Sequence, residues 1–178
     1  MGFVNAHFVA YATGLGASAI AAAGGLATVG VMSILGAFIF GSLADRRGTR
    51  PILAIAYGLR GLGYGVLLMA NGLPMAIAGV MLIGVAWTSV ISLTGAVSAD
   101  QFGLRRLGTV YGALFGVMPL GASLGVWIAG RVFDESGSYD LALQISMALG
   151  MGAAILIGLP RYRQLAPEQP HEASTAAD

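Results

Sequence analysis

Three polar side chains that interrupt the apolar runs of this chain could do chemistry. His7 can exchange a proton near neutral pH, so it could relay one. Arg60 lies nine positions after Pro51, about 14 Å along a helix that begins there, where a charge costs several kcal/mol unless it is paired or hydrated. Ser123 is the centre of Gly121-Ala122-Ser123-Leu124-Gly125, which has the letters of a hydrolase nucleophile turn.

These candidates each have a second interpretation. Ser123 lies in the middle of an apolar run, and its flanking glycines are four apart, the spacing that lets membrane helices touch; a nucleophile turn needs a strand before it. Arg60 could meet an anionic substrate, a carboxylate or water, or it could reach the membrane surface with its long side chain. A histidine inside a membrane often just bonds a neighbouring helix. We expect no enzymatic activity, no cofactor and no metal.

The elements that must position these residues are membrane-spanning helices. The chain is 57% hydrophobic and only 10% charged, with a mean hydropathy of +0.81, which exceeds what soluble domains show. A crossing needs about 20 apolar residues. The sequence therefore predicts an all-α polytopic membrane protein with one short first segment, over roughly 1–14, and five full spans, over approximately 18–41, 51–70, 74–99, 108–131 and 140–160.

The first segment and the last residues set the predicted domain limits. Residues 1–14 reach only about 21 Å as a helix, so we expect the end of a helix that is truncated at Met1. We predict a transmembrane domain over 1–160 and a disordered cytoplasmic tail over 161–178, which contains Pro167 and Pro170.

A charged hinge, Gly41-Ser42-Leu43-Ala44-Asp45-Arg46-Arg47-Gly48-Thr49-Arg50, separates two long uncharged stretches. We predict a short aqueous loop in which Gly41 and Gly48 allow close approach and a tight turn. Asp45 would accept hydrogen bonds from the exposed N–H groups of the following helix. Arg46, Arg47 and Arg50 would face anionic lipid headgroups.

The arginines predict the orientation of the chain, because positive charge accumulates in cytoplasmic loops. All nine basic residues are arginine, and seven fall on one face: Arg46, Arg47, Arg50, Arg105, Arg106, Arg161 and Arg163. Both termini are thus predicted to be cytoplasmic, in a cell membrane that we expect to be a bacterial inner membrane. A net charge of +1 excludes nucleic acid as a partner, and the absence of cysteine excludes disulfides.

The hinge resembles the G-x-L-A-D-R-x-G-x-R/K loop of the major facilitator superfamily of secondary transporters. The stretch from Asp100 to Asp140 is similar to the last two helices of its monocarboxylate-carrier and oxalate/formate-exchanger branch. This resemblance implies the carboxy-terminal six-helix half of such a transporter, built as a 3+3 inverted repeat. It also implies that an amino-terminal half, or a second copy, completes the protein, and that the hinge is a cytoplasmic gate held partly by Asp45.

The resemblance implies transport of a small organic solute. We favour an organic anion such as a carboxylate as this solute, and we consider a proton as the coupling ion. Where animal monocarboxylate carriers set an Asp and an Arg, this chain has Ser33 and Ala37, so the substrate stays open. The alternative is a transport-incompetent fragment that associates through glycine faces such as Gly61/Gly65, Gly112/Gly116 and Gly121/Gly125. The candidates for the substrate path are Asn5, His7, Tyr11, Ser33, Arg60, Trp87, Thr88, Tyr111 and Ser123.

Overall fold

The computed structural model describes residues 2–159, and this part of the chain is helical throughout, without a strand. It confirms the predicted all-α membrane architecture. The seven helices are α1 Gly2–Gly14, α2 Ala19–Arg47, α3 Thr49–Leu68, α4 Leu73–Val85, α5 Trp87–Phe102, α6 Leu104–Ser136 and α7 Asp140–Gly158.

Helices α4 and α5 together form one membrane span that is interrupted at Ala86. Residues Leu73–Phe102 form one continuous apolar segment, and the Val90 N–H bonds the Ala86 carbonyl to resume the helix. Five segments are long and apolar enough to cross a membrane: Ala19–Arg47, Thr49–Leu68, Leu73–Phe102, Leu104–Ser136 and Asp140–Gly158. With the short α1 they give the six predicted spans.

The connections between helices are short, and several turn on a glycine with positive φ. Gly48 is the single residue between α2 and α3, with φ of 90°, and its N–H bonds the Ala44 carbonyl at 2.8 Å. A side chain at this φ would be strained, so a glycine here permits a one-residue reversal. Gly103 joins α5 to α6 in the same way.

The alternating helix directions give the bundle two ends. We call the end that holds Gly48, Gly103 and Leu159 the hinge end, and the end that holds Gly16, Gly72 and Gly137 the far end. The closest pair is α3 with α7; α2 packs on α4, α1 on α6 and α5 on α6, whereas α6 touches α7 little. One core cluster, around Phe40, Ile52 and Val90, lies toward the hinge end, and the second contains residues of α1.

The structure corrects the predicted hinge. Gly41, Asp45 and Arg46 belong to α2, which continues to Arg47 instead of stopping near residue 41, and only Gly48 is non-helical. Ala44 is buried in the core near the hinge end, so packing extends the helix through the charged residues. A Cβ added to Gly41 would meet nothing within 4 Å, so its expected close approach is wrong. The predicted span 108–131 is also longer in the structure, where α6 runs from Leu104 to Ser136.

Only one of the predicted glycine faces packs against another helix. Gly61 and Gly65 lie against Met151 and Met147 of α7, where an added Cβ would come within 3.0 Å of each. The four glycines of the α6 pairs meet nothing within 4 Å in the described chain: Gly112, Gly116, Gly121 and Gly125. A pair that sequence reasoning did not single out, Gly63 and Gly79, brings α3 and α4 together.

Serine and threonine hydroxyls within the spans bond the carbonyls of their own helix. Thr94 bonds the Val90 carbonyl at 2.6 Å, and Ser98 bonds the Thr94 carbonyl at 2.7 Å. Hydrocarbon offers no partner for a hydroxyl, so this local bonding allows a polar side chain inside the membrane. The predicted tail over 161–178 and residue 160 lie outside the described residues.

The contact of α2 with the interrupted span gives the first prediction. A Cβ at Gly36 would collide with the backbone carbonyl of Val85, whereas one at Gly30 on the same helix would meet open space. We expect Gly36→Ala to reduce the free energy of unfolding in detergent by about 1–3 kcal/mol, because backbone must move. The matched Gly30→Ala variant should be neutral or slightly stabilising. Equal unfolding free energies for the two variants would contradict this packing.

Candidate functional site

An aromatic cluster at the far end surrounds His7. The ring of Tyr139, which precedes α7, stacks on Phe133 of α6 with centroids 4.4 Å apart. Phe3 of α1 meets the edge of the same ring at 5.3 Å, and His7 lies 5.4 Å from it. Three separate segments, α1, the end of α6 and the start of α7, therefore meet at one tyrosine.

His7 is bonded through both ring nitrogens. Its Nε2 lies 3.2 Å from the carbonyl oxygen of Val126, and its Nδ1 lies 3.4 Å from the Tyr139 hydroxyl. A carbonyl only accepts, so Nε2 donates to Val126, and in the neutral ring Nδ1 accepts from Tyr139. The Tyr139 hydroxyl can also accept, so the same contact can form with Nδ1 as the donor in a doubly protonated ring.

Charged side chains at the far end lie in the last turns of α6 and at the start of α7. Arg131 and Glu135, one turn apart on α6, approach to 3.2 Å with both side chains largely exposed, so this ion pair adds little stability. Burial, and secondarily the charge of Asp134, raises the pKa of Tyr139 above its usual value. Tyr139 therefore keeps its hydroxyl proton and remains a donor to His7.

The other two candidates on α1, Tyr11 and Asn5, have different surroundings. The Tyr11 hydroxyl donates to the carbonyl of Leu67 at 2.5 Å, which ties α1 to the end of α3. Asn5 is exposed on α1. Of the three predicted α1 candidates, the structure brings His7 and Tyr11 to one aromatic cluster and leaves Asn5 on an unpartnered face.

A cavity of about 400 Å³ lies between α3, α6 and α7, with Gly2 and Phe3 of α1 at one side. Arg60 lines it and is half-buried. The guanidinium lies 5.7 Å from the ring centre of Tyr57 and interacts with buried Tyr64. Arg60 thus finds two aromatic partners on its own helix.

The remaining path candidates do not converge on one site. Ser33 is half-buried and its hydroxyl bonds the Gly30 carbonyl of its own helix. Trp87 packs against the core cluster that contains residues of α1. The backbone carbonyl of the adjacent Thr88 accepts a hydrogen bond from the Ser92 hydroxyl. Tyr111 of α6 lies against Gly95 and stacks on Phe115 with centroids 4.2 Å apart. Ser123 is exposed on α6.

The hinge end is closed by contacts that involve Thr49 and Arg50 at the start of α3. The Thr49 hydroxyl donates to Asp100 of α5 at 2.8 Å. Arg50 donates through Nε to the carbonyl of Ile157 at 2.8 Å and through a terminal nitrogen to that of Leu159 at 2.5 Å. Arg50 therefore satisfies the free carbonyls at the end of α7.

Asp45 and Arg46 take no part in these bonds. Both are exposed on the last turn of α2, and within residues 2–159 Asp45 has no hydrogen bond and no ion pair. The start of α3 has no side-chain cap, so the predicted role of Asp45 at that helix start is wrong. The acid that contacts the start of α3 is Asp100 instead.

Sequence reasoning missed Tyr57 and Tyr64, and it missed Thr49 and Asp100 as a pair. Tyr57 and Tyr64 lie three residues before and four residues after Arg60, so helical spacing alone places them on its face. No comparable signal was available for Thr49 and Asp100, which are separated by 51 residues along the chain.

The Arg50 contacts give a prediction about α7. Arg50→Gln should speed hydrogen exchange of the last-turn amide of Leu159, which bonds the Ile155 carbonyl, by roughly tenfold, because charge-assisted bonds to the helix end are lost. The measurement is exchange mass spectrometry in detergent. Arg46→Gln is the matched control, since it removes an exposed arginine near the same end. Equal exchange in the two variants would show that Arg50 does not hold the end of α7.

The family model described as Major Facilitator Superfamily matches residues 1–177. Monocarboxylate transporter 12 of Homo sapiens is 28% identical over 159 residues, which are 87% of this chain and 31% of that protein. The MFS-type transporter YcxA of Bacillus subtilis is 27% identical over 96% of this chain and 43% of its own length. No solved structure gives a significant match.

The matched relatives are longer than this chain, and they differ in kind. The chain spans less than half the length of the two relatives. Efflux pump dotC of Dothistroma septosporum is also similar, 30% identical over 62% of this chain and 19% of its own length, so the relatives include both carriers and efflux pumps.

Proposed function

This chain belongs to the Major Facilitator Superfamily, and from that premise we propose that it is part of a secondary active transporter that moves a small organic anion, such as a carboxylate, by alternating access. Its relatives support membrane transport in place of an enzymatic reaction. The observation that carries the finer proposal is the similarity to the protein named monocarboxylate transporter 12, which covers most of this chain.

We propose that the bundle rocks against an amino-terminal half or a second copy around a site near the middle of the membrane. Helices α1 and α6 would face that partner, since Asn5 and Ser123 place polar groups on their exposed sides. We further propose that both termini are cytoplasmic, in a bacterial inner membrane, which places the hinge end inside. We also propose that 1–160 form the transmembrane domain and that 161–178 form a disordered cytoplasmic tail.

His7 is the proposed proton site. In its neutral form it holds α6 through the Val126 carbonyl and the start of α7 through Tyr139. Protonation would reverse the direction of the bond to Tyr139, with Nδ1 as donor and the hydroxyl as acceptor, and would add a positive charge at this contact. A coupling proton could in this way alter how α1 sits against α6 and α7.

Counterflow in proteoliposomes tests the function and the proton site together. Vesicles that hold the complete gene product and an unlabelled organic acid should accumulate the labelled acid, because exchange needs no external energy. His7→Gln should retain exchange but lose its pH dependence near neutrality, since glutamine keeps a hydrogen-bonding group and cannot titrate.

Each result has a distinct meaning. A pH profile that His7→Gln leaves unchanged would remove His7 as the proton site and leave anion transport standing. Failure of every organic acid to exchange, in protein that is correctly folded, would overturn the anion proposal. It would favour the alternative of a transport-incompetent fragment, for which the unpacked glycines of α6 supply an association surface.

The hinge end supplies the proposed gate. Opening toward the cytoplasm would separate the start of α3 from the end of α5, so the Thr49–Asp100 bond would oppose it. The gate proposed from the sequence contains Gly41, Asp45, Arg46, Gly48 and Arg50. Of these, Arg50 makes hydrogen bonds across the hinge end, and Gly48 forms the turn.

The gate can be tested with a single cysteine at Asn5→Cys, because the chain has no other cysteine. Asp100→Asn should increase the rate at which a maleimide applied from the cytoplasmic side labels this cysteine by about tenfold, since a hydrogen bond to a charged group is lost. Asp45→Asn is the matched control and should leave the rate near that of the parent. A larger effect from Asp45→Asn would return the gating role to that residue.

A further inference from the structure

The cavity between α3, α6 and α7 contains a charge that the described chain does not neutralise. Arg60 lies 11 residues after Thr49 and 8 before Leu68, so its Cα is about 17 Å and 12 Å from the two ends of α3. This places it near the middle of the hydrocarbon layer. In residues 2–159 no carboxylate lies within 4.0 Å of its guanidinium.

Tyrosines stabilise this cation without neutralising it. The Tyr57 ring attracts the guanidinium through its electron-rich face, and Tyr64 also interacts with it. Both partners are uncharged, and a cation at this depth still costs several kcal/mol. An anion in the adjacent cavity would recover part of that cost through a charge-assisted hydrogen bond.

The mouth of the cavity is apolar. Leu124 of α6 and Leu149 of α7 are 60% and 70% exposed, and Ile145 is 42% exposed. These side chains lie on the two helices that touch little, so the opening between α6 and α7 is lined by groups that suit lipid tails rather than water. The Ser146 hydroxyl, also in the lining, is already bonded to the Ala142 carbonyl.

We propose that this cavity binds the carboxylate end of a single-chain fatty acid, which enters sideways from the bilayer between α6 and α7 and pairs with Arg60. A volume of about 400 Å³ falls in the range of roughly 300–1,000 Å³ typical of small-molecule sites. A diacyl phospholipid keeps its phosphate at the membrane surface, too far from Arg60. The proposal assigns Arg60, a candidate for the solute path, to a ligand from the bilayer instead.

Photo-crosslinking tests this site without any transport assay. The full chain in phosphatidylcholine nanodiscs is irradiated with a diazirine-bearing palmitate in mildly alkaline buffer, and labelled peptides are identified by mass spectrometry. We expect labels within 121–128 and 145–150, and a reduction of at least about tenfold with Arg60→Gln, a loss of about 1.4 kcal/mol in binding free energy. Arg60→Lys, which keeps the charge, should retain most labelling.

A second variant leaves the charge in place. Gly125 lines the cavity with open space around it, so Gly125→Leu should fill the cavity and abolish labelling. Gly112→Leu is the matched control on the same helix, because Gly112 also has open space around it but does not line the cavity. The probe should label this variant as strongly as it labels the parent protein.

Four outcomes would overturn the proposal. They are equal labelling by the methyl ester of the probe, parental labelling of Gly125→Leu, competition by a short acid such as propionate, and competition by phosphatidylglycerol. Competition by propionate would assign the cavity to a water-soluble solute, and competition by phosphatidylglycerol to a lipid headgroup. Because the readout is binding alone, failure here leaves the proposed transport function untouched.

Discussion

Hydrocarbon supplies no hydrogen bonds, and the rest of this structure depends on that constraint. Every span must satisfy its backbone internally, so the chain is helical from Gly2 to Gly158 with short breaks. Hydroxyls such as those of Thr94 and Ser98 bond back to their own helices for the same reason. The free carbonyls at the end of α7 are met by Arg50, whose charge makes those bonds stronger than neutral ones.

The same constraint explains why the hinge end is tied together by so few residues. Gly48 and Gly103 each reverse the chain alone, which leaves almost no loop to carry polar contacts. The contacts that join the helices there come from Thr49 and Arg50, in the first turn of α3. The gate proposed for this end would need only a small rotation to open, because no long loop has to refold.

The spans could be predicted from the sequence because hydrophobicity is a local property. The turn at Gly48 could be predicted as well, since glycine between charged helix ends has a local backbone cause. The capping role of Asp45 was predicted wrongly because its helix continues through it, held by burial of Ala44, which sequence alone does not reveal. Contacts such as His7 with Val126 join residues 119 apart, and no local pattern encodes them.

The glycines are packed differently in two parts of the bundle, of which one is rigid and the other is loosely held. Gly61 and Gly65 let α3 lie directly on α7, so these two helices should move as one body. Helix α6 has no such contact at Gly112, Gly116, Gly121 or Gly125 and is joined to its neighbours through Tyr111 against Gly95 and through Val126 against His7. A helix held by few contacts can shift with little loss of packing. Arg60 belongs to the rigid pair and faces the looser helix across the cavity, so an anion bound there would stabilise one position of α6 relative to α3 and α7.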